Sequence, residues 1–113
     1  MQDLWRQEAF QLTRGLLAGI CSAGTTGDTG RKIHHAAVSA AARLADGAAG
    51  RDLGVRAEHL AAARAALDEL GTLLAEALQL GQLPTDLGES LMARQAEAIQ
   101  ALTQLGQPLP ADA

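Results

Sequence analysis

Leu60-Ala61-Ala62-Ala63-Arg64-Ala65-Ala66-Leu67-Asp68-Glu69-Leu70-Gly71-Thr72-Leu73-Leu74-Ala75-Glu76-Ala77 is the stretch that decides the fold. Leu60, Ala63, Leu67, Leu70, Leu74 and Ala77 alternate steps of three and four residues, so they line one seam of an α-helix. Ala66, Leu73 and Leu80 widen that seam, which predicts a helix covered from two sides. The pattern extends from about 53 to 80. Gly81 and Pro84 then end it, placed where a helix stop puts them.

The same periodicity appears on both sides. Toward the N-terminus, Ile33, Ala37, Ala40, Leu44 and Ala48 share one face of a helix expected over 30–49, which stops within Gly47–Gly54. Earlier still, Trp5, Ala9, Leu12, Leu16 and Ile20 define a helix over 3–22, with Phe10 and Leu17 beside them. The segment Ala23-Gly24-Thr25-Thr26-Gly27-Asp28-Thr29-Gly30 reads as the loop between these two, with Asp28 or Thr29 as the cap of the second. After Pro84, Leu87, Leu91, Ala98, Leu102 and Leu105 form a fourth stripe, flanked by Met92 and Ile99, and Thr85 or Asp86 can cap it. Four amphipathic helices on short connections predict an all-α, antiparallel up-down four-helix bundle. The expected domain is 1–106. Residues 107–113, with Pro108 and Pro110, are expected to form a frayed tail.

Composition agrees with the bundle. Of 113 residues, 25 are Ala and 19 Leu, against two Val and three Ile, so helix formers dominate. A core of Ala and Leu is thin per helix, and an apolar face wider than one core needs would call for a partner chain. The net charge of −4 is uneven. Residues 1–64 hold eight Lys/Arg against six acids and all three His, while 65–113 hold one Arg against seven acids. That is not the profile of a protein that grips nucleic acid over its whole surface. No run approaches a membrane span, and Met1-Gln2-Asp3-Leu4-Trp5-Arg6 lacks the form of a secretory signal, so the cytoplasm is the expected compartment.

Few residues suggest chemistry. Gly24 to Lys32 invites a phosphate-loop reading, but Arg31 separates the last Gly from Lys32, and Ile33 stands where Ser or Thr must meet magnesium. His34 and His35 point about 100° apart on a helix and have no third ligand at the next turn, so a metal is not expected. Cys21 reads as a small core filler. No nucleophile is paired with a base, so no enzymatic activity and no cofactor are expected. One pattern stands out. Lys32, His35, Ser39, Arg43 and Asp46 share a polar stripe opposite the apolar face of the second helix. It is either an ordinary solvated face or a surface that meets phosphates. No aromatic residues accompany it, so base stacking is not on offer.

Lys32-Ile33-His34-His35-Ala36-Ala37-Val38-Ser39 and Leu44-Ala45-Asp46-Gly47 resemble the second-helix signature of the bacterial four-helix-bundle proteins known as the 23S ribosomal RNA intervening-sequence family, akin to the accessory variability determinants of diversity-generating retroelements. Leu4-Trp5-Arg6-Gln7-Glu8-Ala9 and the stretch from Leu67 to Gly81 are similar to its opening turn and long third helix. The resemblance implies a homo-oligomer, a ring of five bundles, with RNA or DNA as a ligand. His34-His35 depart from the family's Arg-Arg, and Ala41 and Arg43 from its Pro and Asn. Those departures weigh against nucleic-acid binding more than against the fold. If nucleic acid is bound, Arg31, Lys32, His35 and Arg43 are the expected contacts. A protein–protein adaptor without nucleic acid is the alternative.

Overall fold

The computed structural model describes residues 2–25, 27–49 and 53–106, with side chains from Glu8 to Thr25, Gly27 to Gly47 and Gly54 to Gln104. Four helices fill it: α1 (Gln2–Ala23), α2 (Gly27–Ala49), α3 (Leu53–Gln79) and α4 (Thr85–Gly106). Each packs against its neighbour in sequence and α4 closes onto α1, while among the described residues the backbones of the two diagonal pairs stay apart and only side chains meet at the centre. Short connections and that order give the up-down antiparallel bundle the periodicity predicts. The positions expected for Trp5, Ala48, Leu105 and the tail 107–113 lie outside the described side chains or residues.

The α3 seam carries the core. Leu67, Leu70 and Leu74 are fully buried, and α3 is flanked by α2 on one side and α4 on the other. Leu16 and Ile20 of α1, Ile33 and Leu44 of α2, and Leu91 and Leu102 of α4 meet it. Among the described residues, nine of the nineteen buried apolar side chains are Ala, so the helices must approach closely to fill the interior. Glycine permits this at Gly88, where a Cβ would stand 2.2 Å from a Leu78 methyl carbon.

The α3–α4 turn shows how the sequence stops a helix. The Gly81 amide donates to the Leu78 carbonyl at 3.1 Å and the Gln82 amide to the Ala77 carbonyl at 2.8 Å. Gly81 adopts φ 71°, so this is a Schellman closure. Leu83 then folds back into the core. Leu80, which the seam reading counts as core, is 68% exposed, because the chain has left the helix at that residue.

Four further expectations are corrected. Cys21 is exposed rather than core, being turned about 100° from the buried Ile20. In α1 the buried position is Thr13, with Leu12 only half-buried, so the seam runs 9-13-16-20. Thr13 tolerates burial because its hydroxyl donates to the Ala9 carbonyl at 2.8 Å. Helix α2 begins at Gly27, at φ 76°, which puts Asp28 and Thr29 in its first turn instead of at the cap. Helix α4 likewise begins at Thr85, with the Pro84 carbonyl accepting from the Gly88 amide at 2.9 Å, so neither Thr85 nor Asp86 is its cap.

Two polar contacts between α3 and α4 are invisible to periodicity. Gln95 donates from Nε2 to the Leu67 carbonyl at 2.9 Å, passing over Gly71, where a Cβ would meet that nitrogen at 2.6 Å. Arg64 donates to the Thr103 hydroxyl at 2.9 Å and lies 3.5 Å from the Asp68 carboxylate.

Candidate nucleic-acid interface

The outward face of α2 begins where the α1–α2 loop folds over the first turn of the helix. Gly30 is buried there, and a Cβ on it would stand 2.7 Å from the carbonyl carbon and oxygen of Thr25. Gly24, at φ 65°, ends α1, and Gly27 starts α2, so two left-handed glycines turn the chain within a few residues. Ile33, Ala36, Ala37 and Ala40 bury one side of α2. That leaves Arg31, Lys32, His34 and His35 exposed on the other.

Three of the four expected contact residues come together. Arg31, Lys32 and His35 line one surface depression of about 280 Å³, together with Asp28 and with Glu69 of α3. Arg43 is exposed on the same helix but does not line it. At 1.5 Å per residue it lies about 12 Å beyond His35. The stripe is therefore a cluster of two cations and an imidazole, followed by a gap and a lone Arg.

Charge within the cluster is nearly balanced. Arg31 donates to the Asp28 carboxylate one turn back, an exposed i,i+3 pair. Glu69 reaches the same depression from α3. Two cations thus face two carboxylates, and a net positive field requires protonated imidazole. Glu69 was out of reach for sequence reasoning, because only the register of α3 against α2 brings it there.

A second depression of about 610 Å³ adjoins the first, sharing Arg31 and His35. Ile20 and the exposed Cys21 of α1, Gly24 and Thr25 of the loop, and Gly27, Gly30 and His34 of α2 complete it. Nothing in the spacing of Cys21 and His34 signalled this neighbourhood, since it depends on how the loop closes. Among the described residues, no three His, Cys, Asp or Glu side chains are grouped to hold a metal ion. No described helix is long and apolar enough to cross a membrane.

No protein-family profile and no curated protein sequence matches the chain. Among solved structures, the chain is similar to a protein with unknown function from the S23 ribosomal protein family of Bacteroides thetaiotaomicron VPI-5482. The two superpose with a TM-score of 0.78 over 95% of this chain and 98% of that one, at 10% sequence identity. Identity that low makes this a likeness of fold. In fold, across nearly the whole chain, this bundle resembles the S23 ribosomal protein family that its α2 residues suggest.

Proposed function

We propose that this chain is a non-catalytic, self-associating helical-bundle module of the cytoplasm that works by binding. The observation that carries the proposal is the outer surface of α2 and α3. Val38, Ala42 and Ala45 on α2, and Val55, Ala57, Ala61 and Ala65 on α3, are all exposed. Side chains this small let a neighbouring helix approach closely, and burying them removes apolar surface from water. The fold likeness supports the helical bundle alone, and the closed ring of about five chains is what the family resemblance implies. Sedimentation equilibrium tests it. A single species of about five chains agrees with the proposal, and a clean monomer at micromolar concentration refutes it.

A second reading, nucleic-acid binding through Arg31, Lys32, His35 and Arg43, is favoured by the convergence of the first three on one depression. Contacts to phosphate weaken steeply with salt. RNA retention at low salt that is lost on raising the salt, and lost in the Lys32→Glu, Arg43→Glu double variant, supports it. No retention at low salt leaves a protein-binding adaptor, and retention that survives the charge reversal refutes the contact through these residues.

A further inference from the structure

We infer that the two adjoining depressions at the α1–α2 end of the bundle form a site for a phosphomonoester, such as the terminal phosphate of a nucleic-acid strand or of a free nucleotide. The inference uses the residues of the nucleic-acid reading but does not need a strand to lie along α2. Its first support is where the cations are. Arg31, Lys32, His34 and His35 fall within five consecutive positions and line two depressions that share Arg31 and His35. Lys32 is the only lysine in the chain. A strand tracked by its backbone needs cations spaced along its path. The next one on α2 is Arg43, about 12 Å past His35. Between them stand the exposed Val38 and Ala42 and the half-buried Ser39, none of them charged.

The second support is the charge balance. Arg31 and Lys32 are met by Asp28 of α2 and Glu69 of α3. Cys21 is the other titratable group, contributed by α1. With both imidazoles neutral, the cluster is close to neutral and gives a singly charged diester little to hold. With both protonated, it carries two net positive charges, which match a monoester of about −1.5 to −2 charge. Arg31 donates to the Asp28 carboxylate and keeps further N–H donors for phosphate oxygens. The site therefore suits one terminal phosphate. Its occupancy should be greater with both imidazoles protonated than with both neutral.

Imidazole proton resonances report on this directly. His34 and His35 line the site, while His59 lies on α3 beside Gly47, about 18 Å along α2 from His35. A His59→Asn variant identifies the control resonance. Titration with adenosine 5′-monophosphate at pH 6.5 should shift the two site resonances with a Kd on the order of 1 mM. It should leave His59 in place, and adenosine should shift none of them. The Arg31→Gln, Lys32→Gln variant, altered only at exposed positions, should lose the shifts while keeping its helical circular dichroism. Short single-stranded RNA with a 5′-phosphate should bind about tenfold more tightly than the same strand with a 5′-hydroxyl, a difference of about 1.4 kcal/mol. If the monophosphate moves neither site resonance, or adenosine moves them equally, the inference is overturned whether or not RNA binds. RNA that binds equally well with either end also overturns it and leaves the nucleic-acid reading standing. Monophosphate binding without RNA binding upholds the site and removes the nucleic-acid reading.

Discussion

Replacing Gly30 by Ala sets two effects of opposite sign against each other, and the structure says which prevails. In a helix, Gly→Ala ordinarily stabilises by about 0.8–1 kcal/mol. At Gly30 the new methyl carbon would lie 2.7 Å from both the carbonyl carbon and oxygen of Thr25, and 3.3 Å from its Cβ. Carbon atoms pack best at about 3.5–4.0 Å, so the loop must retreat by the better part of an ångström. Backbone has no rotamer with which to step aside, and crowding of this kind costs about 1–3 kcal/mol. The net expectation for Gly30→Ala runs from about neutral to about 2 kcal/mol destabilising. Gly15, mid-way along α1, supplies the control, because a Cβ there meets nothing within 4 Å. Gly15→Ala should therefore stabilise. The difference between the variants cancels the shared propensity gain and leaves the steric term of about 1–3 kcal/mol. For a domain of this size, that separates the two by about 4–12 °C in Tm. Thermal unfolding followed by far-UV circular dichroism, at one fixed protein concentration, measures it. Equal midpoints would show that the α1–α2 loop does not rest on α2, and the shape of the larger depression would fall with that contact.

The α3 seam predicts that Leu67→Ala or Leu74→Ala, each at 0% exposure, loses about 2–5 kcal/mol, whereas Leu80→Ala, 68% exposed, stays within about 0.5 kcal/mol. Chemical denaturation compares them, and a Leu80 loss as large as that of Leu74 would mean the core reaches the α3–α4 turn. Cys21, exposed at the end of α1, should react with a maleimide in the folded protein about as fast as in denaturant. Protection by an order of magnitude or more would place that thiol inside after all.

How much of this was legible follows from which interactions are local. The α3 helix announced itself because every core residue on it obeys one period, and a burial pattern repeated over several turns survives any error at its ends. The α1 seam was legible only in outline. Choosing Leu12 over Thr13 assumes that the more apolar residue goes inside, yet a hydroxyl four residues after an available carbonyl carries its own partner and can be buried at little expense. Residue type likewise points Cys21 inward, whereas its angle relative to Ile20 turns it outward. Both helix starts came one or more residues earlier than the capping residues suggested. The Gly27 and Pro84 backbones set those starts, and a side-chain rule does not see them.

The candidate site divides along the same line. Arg31, Lys32, His35 and Arg43 were found together because they share a helix, and one helix has one geometry. What decides the chemistry of that surface comes from elsewhere in the chain. Glu69 arrives from α3 and offsets the cations, while Cys21 and Thr25 arrive through a loop closure that Gly30 makes possible. A stripe read on one helix predicts an extended track for a polyanion. The same residues, once the acids and the uncharged gap before Arg43 are in place, form a compact, nearly neutral cluster whose sign depends on two imidazoles. The difference between those surfaces is a matter of register between helices. For that reason the ligand's size and charge, more than the identity of the basic residues, distinguish the two readings by experiment.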